Sequence, residues 1–170
     1  KKIIKIINET NNKLEEKNEN INSSINYARK IQEAILPKKE DLDDILKDNF
    51  IFYKPRDIVS GDFYWVHKKD NGLVFFTVAD CTGHGVPGAF MSMIGHSLLN
   101  EFVVNRDISQ ADMILDKMRI QIKKALGQKG KVGEARDGMD MALCVLDKSS
   151  GQLEFSGAYN SLYVVRDGEL

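Results

Sequence analysis

The chain has 170 residues, of which 42% are hydrophobic and 29% charged, and its formal net charge is -1. This length allows one domain with a core and a helical extension. The near-neutral charge gives no indication of a nucleic-acid-binding protein, which would need a basic face. No apolar run approaches the roughly 20 residues that span a bilayer. Cys81 and Cys144 lie in apolar segments without CxxC spacing. Their context favours buried thiols in a reduced, cytoplasmic protein.

Residues 1–36 are predicted to form one helix, about 54 Å long at 1.5 Å per residue. Hydrophobic residues recur with a spacing of seven, which is typical of a coiled-coil seam. They are Ile7, Leu14, Ile21, Ala28 and Ile35. The second seam position is more polar and holds Ile4, Asn11, Asn18, Ile25 and Gln32. Pro37 ends the helix, because proline disfavours helix at the residue before it.

Two interpretations of this helix remain open. It is either a dimeric connector, which transmits a signal from an upstream sensor domain, or a solvated helix that caps the following domain. The first predicts a homodimer through residues 1–36, in the cytoplasmic part of a sensor protein. Because the chain does not begin with Met, we expect it to be part of a longer protein.

Residues 37–170 are predicted to form a separate domain. A short amphipathic segment at 42–46 precedes β-rich segments at 50–54, 62–68 and 73–80. Two helices follow, from about Val86 to Val103 and from Ser109 to Gly127, the second with a capping box of Ser109 and Asp112. A glycine-rich, mobile loop is expected at 127–138. Three further strands are expected at 139–147, 152–159 and 161–166.

This order of elements, strands then helices then strands, favours the α+β class over a doubly wound sheet. Both faces of the predicted hairpin at 62–80 are apolar, so we expect its sheet to be covered on both sides. The predicted architecture is a partial αββα sandwich, with two sheets flanked by helices, preceded by the long helix.

The turn Asp70-Asn71-Gly72 sets the register of this hairpin. If it forms a three-residue loop, Lys69 pairs with Leu73, and Asp62 then lies directly opposite Asp80. Two facing carboxylates repel, and a divalent cation would relieve the repulsion. Oxygen ligands favour Mg²⁺ or Mn²⁺ over zinc. A two-residue loop would instead place the two aspartates on opposite faces.

Glycines flank both aspartates. Gly61 precedes Asp62, and Gly83, His84 and Gly85 follow Asp80 in a loop that opens a helix. Glycine lets main chain approach a metal or a phosphate closely, and a helix N-terminus attracts anions. Taken singly, Asp80 is equally consistent with a strand-end turn or a helix cap, and Asp62 with the edge of a sheet.

Three motifs resemble the SpoIIE-type branch of the metal-dependent (PPM) serine/threonine protein phosphatases. They are KPRDIVSGDFYW at 54–65, VADCTGHGVPGA at 78–89 and DGMDMA at 137–142. The turn at 148–151 and the segment SGAYNSL at 156–162 fit the same branch. ARKIQEAILP at 28–37 resembles the helix that joins sensors to such domains.

The resemblance implies a role for individual residues. Asp80 would bridge two Mn²⁺ or Mg²⁺ ions, Cys81 would contribute its main-chain carbonyl, and Asp62 would bind the first ion directly or through water. Arg56 is a candidate for binding the phosphate, or a solvated loop residue. His84 is a candidate general acid or a structural residue. Asp137 and Asp140 are not assigned to the metal.

The remaining metal aspartates of the family lie in C-terminal motifs that this sequence does not contain. We therefore expect this chain alone to bind metal incompletely, while the longer protein hydrolyses phosphoserine or phosphothreonine on a partner. The resemblance suggests anti-sigma-factor antagonists as such partners. The alternative is a non-catalytic scaffold, in which a degenerate phosphatase fold transmits dimerisation through the helix.

Overall fold

The computed structural model describes residues 2–131, 133–134 and 136–170. Its elements are, in chain order, α1 (Lys2–Ile35), α2 (Lys39–Ile45), β1 (Phe63–Lys68), β2 (Leu73–Cys81), α3 (Gly85–Leu99), a π-helical turn (Asn100–Asn105), α4 (Ala111–Ala125), β3 (Met139–Asp147) and β4 (Leu153–Ala158). The four strands form one antiparallel sheet in the order β1-β2-β3-β4. The predicted α+β class is confirmed. None of the described helices combines the length and hydropathy that a bilayer crossing requires.

The predicted N-terminal helix is confirmed as the continuous helix α1, which ends two residues before Pro37. Seam residues Ile7, Leu14 and Ile21 are at least half exposed to solvent. The C-terminal end of α1 does contact the rest of the chain, as the burial of Gln32 shows. Dimerisation through the seam and a domain boundary between residues 36 and 37 stay predictions.

The hairpin of β1 and β2 has the register that its turn predicts. Phe63 pairs with Ala79, and the Lys69 N–H donates to the Leu73 carbonyl at 2.9 Å. The loop therefore contains three residues, and its Gly72 has a φ of 90°, which glycine adopts without strain. The two-residue alternative is wrong.

The two faces of the sheet have different surroundings. One face packs against α3, the π-helical turn and α4, and Phe75 and Phe102 lie fully buried in the core between them. The other face carries exposed Val78 and Phe155, and Leu42 of α2 lies at its side. In the described part of the chain no second sheet covers this face. The structure thus contains one sheet, with its helices, of the predicted sandwich.

The helices after β2 largely match the prediction, but the capping box does not. α4 begins at Ala111, and the preceding Gln110 makes no capping hydrogen bond through its side chain. The Ala111 N–H donates instead to the Glu154 carboxylate of β4. The Ser109 hydroxyl accepts a hydrogen bond from Lys69 Nζ. Tertiary contacts therefore replace the predicted local cap.

Two predicted strands, at 50–54 and 161–166, are not strands in the described structure. Phe50 and Phe52 are exposed, and Arg166 forms only an isolated bridge with Glu169. Both segments have strand-like composition, but a strand also needs a neighbouring strand for its main-chain hydrogen bonds. In the described residues β1 and β4 are the edges of the sheet and pair with neither segment.

The glycine-rich segment 127–138 contains no helix or strand among its described residues. Gly127 has a φ of 66° and follows the last turn of α4, which confirms the predicted helix end. Val132 and Ala135 lie outside the described residues. The expected mobility of this loop stays a prediction.

Candidate metal and phosphate site

Three aspartates form a row across neighbouring strands. The β1–β2 register, continued by one residue, places Asp62 opposite Asp80, and the β2–β3 register places Asp140 opposite Asp80 on the other side. Directly opposed residues of antiparallel strands point to the same face, with Cβ atoms about 4.5–5.5 Å apart. All three residues are exposed. The predicted position of Asp62 opposite Asp80 is confirmed, and Asp140 extends the row.

This carboxylate row (Asp62, Asp80 and Asp140) carries uncompensated negative charge. Desolvation raises the pKa of Asp62, and the neighbouring Asp80 raises it further. Among the described residues, no lysine, arginine or histidine forms an ion pair with the row. A cation from solution would therefore be attracted to it.

The chemistry of the row fits a hard divalent cation in part. Carboxylate and carbonyl oxygens are the ligands that Mg²⁺ and Mn²⁺ prefer. However, no group of three or more His, Cys, Asp or Glu in the described residues has an arrangement that could hold a metal ion. The row therefore has the ligand chemistry of such a site but not, by itself, a complete set of ligands.

The loop after β2 packs main chain to main chain against the segment before β1. A Cβ atom on Gly61 would lie 2.9 Å from the Gly83 carbonyl oxygen and 3.1 Å from that of Cys81. A Cβ atom on Gly88, in the first turn of α3, would lie 2.7 Å from the same Gly83 oxygen. Side chains would force these segments apart, so the glycines allow the Cys81 carbonyl to lie close to the residue that precedes Asp62.

His84 lies directly before α3 and contacts a carboxylate that the sequence motifs did not single out. Its Nδ1 is 2.9 Å from Oδ2 of Asp57, and both side chains are partly exposed. The carboxylate orients the imidazole ring and forms an ion pair with it when the ring is protonated. Asp57 lies in the same sequence motif as Asp62, but the spacing of residues in that motif does not indicate that Asp57 contacts His84.

Hydrogen bonds fix the main chain on both sides of the row. The Asp62 N–H donates to the Ser60 hydroxyl at 3.0 Å, and the Tyr53 hydroxyl donates to the Asp62 carbonyl at 3.3 Å. On the other side, the Thr82 N–H donates to the Gly138 carbonyl, and the Gly138 N–H donates to the Thr82 hydroxyl, each at 3.0 Å. The start of β3 is thereby held beside the loop.

An open cavity of about 380 Å³ lies at the row. It is lined by Asp80, Cys81, Thr82, Gly83, His84 and Asp140. A neighbouring cavity of about 320 Å³ lies between α4 and the start of β3, and three basic residues, Arg119, Lys123 and Arg136, line it. Arg56 is exposed and lines neither cavity, so its phosphate-binding role stays a prediction.

Comparison with known proteins found one matching family model and a similar solved structure. The model of the family Stage II sporulation protein E (SpoIIE) matches residues 70–169. The solved SiaA-PP2C domain of Pseudomonas aeruginosa matches with a TM-score of 0.71 and 34% sequence identity, over 83% of this chain and 55% of that chain. This chain thus spans about half the length of that structure. The search of curated proteins found no match. Because the family model covers more than half of the chain, the chain belongs to the SpoIIE-type branch of the PPM protein phosphatases.

Proposed function

We propose that the protein containing this chain is a metal-dependent serine/threonine phosphatase. The observation that carries the proposal is the position of Asp62 opposite Asp80, beside the glycine loop, in a chain of the SpoIIE family. Direct hydrolysis of a phosphoester requires a positioned water and charge stabilisation rather than a covalent intermediate. The row and the loop have the chemistry to provide both.

In this proposal, Asp80 would be the principal carboxylate ligand of the Mn²⁺ or Mg²⁺ ions, Asp62 would be a further ligand, directly or through water, and Cys81 would contribute its main-chain carbonyl. When bound, the ions would lower the pKa of a water and clamp the phosphoryl oxygens. His84, oriented by Asp57, is placed beside the row as a candidate proton donor to the leaving oxygen. Asp80, Asp62 and Cys81 are only part of the ligand set that such ions need.

The proposed substrate is a phosphorylated protein, such as an anti-sigma-factor antagonist. Supporting it, the basic residues Arg119, Lys123 and Arg136 line the cavity next to the row. Arginine recognises phosphate and carboxylate groups through paired hydrogen bonds. This cavity is therefore a better candidate than Arg56 for binding the segment around the phosphorylated residue.

The test is the substitution Asp80→Asn in the full-length protein, with hydrolysis of a phosphothreonine peptide measured against Mn²⁺ concentration. We expect activity to fall at least about 100-fold, since even residues that only support a metal ligand cost 10–100-fold. The matched control is Asp70→Asn, an exposed aspartate at the other end of the same hairpin, which should leave activity unchanged. Full activity of the Asp80→Asn protein would contradict the proposal.

The alternative is a non-catalytic scaffold. It is favoured by the absence, in the described residues, of a complete cluster of metal ligands. The scaffold predicts that the full-length wild-type protein binds no Mn²⁺ and hydrolyses no phosphopeptide. Calorimetric titration with Mn²⁺ separates the two, because only the phosphatase binds the ion.

We further propose that α1 pairs with a second copy of itself and connects the domain to an upstream sensor in the cytoplasm. Exposed Ile7, Leu14 and Ile21 support this, because a heptad seam is buried only by a partner helix. Ile21→Glu should shift the protein towards monomer in sedimentation experiments, whereas Ser23→Glu, an exposed residue off the seam, should not. Unchanged dimerisation in Ile21→Glu, or a wild-type monomer, would contradict the pairing.

A further inference from the structure

Two basic side chains lie next to each other on α4, beside the carboxylate row. Arg119 and Lys123 are exposed, and both line the cavity of about 320 Å³ between α4 and the start of β3. Residues four apart on a helix have Cβ atoms about 5–6 Å apart, and like charges at this spacing repel. Arg136, from the segment before β3, lines the same cavity. Three cations therefore converge on one space.

These three cations have no acidic partner in the part of the chain that the structure describes. In α1, by contrast, Lys5 forms an ion pair with Glu9, one turn further along the helix. None of the ion pairs among the described residues includes Arg119, Lys123 or Arg136. The repulsion between the two neighbouring cations of α4 is therefore not relieved within the described chain.

The acidic residues near the cavity do not neutralise these cations. Asp137 and Asp140 also line the cavity, but neither forms an ion pair there. The carboxylate of Glu134 accepts from two main-chain N–H groups of its own loop, at 2.8 and 3.1 Å. The hydrogen bond from the Lys131 N–H lowers the pKa of Glu134 most, and the charge of Lys123 contributes least. An anion from outside the chain would therefore find these cations available.

The position of the cavity indicates where such an anion would come from. Thr82 and Asp140 line both this cavity and the one at the row, so the two cavities are adjacent. An extended peptide advances about 3.3–3.6 Å per residue. If a phosphorylated residue binds at the row, side chains a few positions away in the same peptide can reach Arg119 and Lys123.

A strained tyrosine at the same cavity is consistent with a ligand site. Tyr159 follows β4, lines the cavity and is 95% exposed. Its φ is 61°, a conformation that a bulky side chain adopts only at an energetic cost. Strained residues of this kind concentrate at functional sites, where the strain places a side chain for a ligand.

We propose that Arg119, Lys123 and Arg136 form a subsite for an acidic side chain of the substrate. The phosphatase then prefers phosphoserine or phosphothreonine that has a glutamate or aspartate within a few residues. This inference rests on the proposed function, since it places the phosphorylated residue at the row. Arginine suits the role, because its planar guanidinium binds a carboxylate through two parallel hydrogen bonds.

The test uses the full-length protein and a set of phosphothreonine peptides. In each peptide one of the three positions on either side of the phosphothreonine carries Glu, Gln or Lys, and the rest of the sequence is constant. Gln has the shape of Glu without its charge, so the ratio of kcat/KM for the Glu and Gln peptides measures charge recognition alone. Hydrolysis of p-nitrophenyl phosphate, which has no flanking residues, is measured in parallel.

Three variants are compared with the wild-type protein. One carries Arg119→Ala with Lys123→Ala, and a second carries Arg119→Glu with Lys123→Glu. The matched control is Lys124→Ala, which removes the exposed neighbouring cation of the same helix, a residue that lines neither cavity.

We expect the wild-type protein to prefer Glu over Gln about 10-fold at one or more positions, the size of one charge-assisted hydrogen bond. The preference should lie in KM, because a contact made equally to substrate and transition state leaves kcat unchanged. The double alanine variant should lower the ratio to about 1, and the double glutamate variant should prefer the Lys peptide. Lys124→Ala should keep the wild-type ratio.

The failure of this inference and the failure of the proposed function give different results. An active wild-type protein with equal kcat/KM for all Glu and Gln peptides would overturn the subsite and leave the phosphatase proposal standing. If the double alanine variant lost activity equally on the peptides and on p-nitrophenyl phosphate, these residues would support the catalytic site instead of selecting the substrate, and the subsite would also be overturned.

If the wild-type protein hydrolyses nothing, the phosphatase proposal fails, and fluorescence anisotropy with labelled Glu and Gln phosphopeptides decides on the subsite. Tighter binding of the Glu peptide that the double alanine variant loses would support it. Equal binding of the two peptides would overturn it.

Discussion

The charged side chains at the two ends of the β1–β2 hairpin have different surroundings. At the turn, the buried Lys69 is neutralised within the chain: its Nζ lies 2.7 Å from Asp107 Oδ1 and donates to the Ile108 carbonyl and the Ser109 hydroxyl, each at 3.1 Å. At the other end, Asp62 and Asp80 face each other without a cationic partner among the described residues.

This difference separates a structural from a functional use of polar groups. A buried charge that is fully hydrogen-bonded holds elements together, and here it ties the hairpin to the start of α4. An exposed pair of like charges adds nothing to folding and is maintained only at a cost. The turn end is therefore expected to govern stability, and the carboxylate end to govern ligand binding.

Among the substitutions that test this difference, Lys69→Met should have the largest effect on the free energy of unfolding. The substitution removes the charge and leaves the Ile108 carbonyl and Ser109 hydroxyl without their donor, so we expect a loss of about 2–3 kcal/mol in the free energy of unfolding. Lys68→Met, at the exposed neighbouring position, should change it by less than about 0.5 kcal/mol. Urea unfolding measures both. Equal stability of the two variants would show that the turn end is not structural.

Asp62→Asn should have a smaller effect on the free energy of unfolding, and one of opposite sign. In the absence of metal it removes the repulsion from Asp80, so the free energy of unfolding should rise by about 0.2–1 kcal/mol. Adding Mn²⁺ should stabilise the wild-type protein and not the variant, because a ligand stabilises only the state that binds it. A variant less stable than wild type without metal would mean that Asp62 is a structural residue.

The smallest expected effect of the carboxylate end is on the reactivity of the two thiols, Cys81 and Cys144. Burial, with the charges of Asp80 and Asp62, raises the pKa of Cys81 to about 12, and burial alone raises the pKa of Cys144 to about 11. A raised pKa lowers the thiolate fraction, so alkylation of both should be slow at pH 8 and increase about tenfold for each pH unit.

Asp62→Asn removes one of the charges near Cys81 and should therefore increase the labelling rate of Cys81 less than tenfold. The rate of Cys144 should not change. Peptide mass spectrometry after iodoacetamide treatment assigns each rate. The same increase at both thiols would indicate general opening of the protein instead of a local charge effect.

The features that local chemistry determines could be predicted from the sequence. The turn at 70–72 sets the hairpin register and hence the position of Asp62 opposite Asp80, because side chains alternate along each strand. β3 begins and ends at the predicted residues, Met139 and Asp147. The continuous helix α1 follows from its seven-residue spacing and the proline that ends it.

Contacts between distant segments could not be predicted. The seven-residue spacing places Gln32 at a polar seam position, and a single sequence gives no sign that Ser60 and Ser92 surround it. The sequence likewise does not indicate the neighbours of Asp57 and Asp140, which come from another loop and another strand. The predicted strands at 50–54 and 161–166 failed because pairing, which composition does not encode, decides whether a segment forms a strand.

The close approach of Gly61 to Gly88 also determines how the molecule can open. A Cβ atom on Gly88 would lie 3.0 Å from the Gly61 Cα, so the lead-in to β1 and the first turn of α3 touch through bare main chain, with no side chain to act as a flexible spacer. A displacement of the segment before β1 would therefore displace the first turn of α3 as well. Local unfolding at this point should therefore release both segments together as a single cooperative unit.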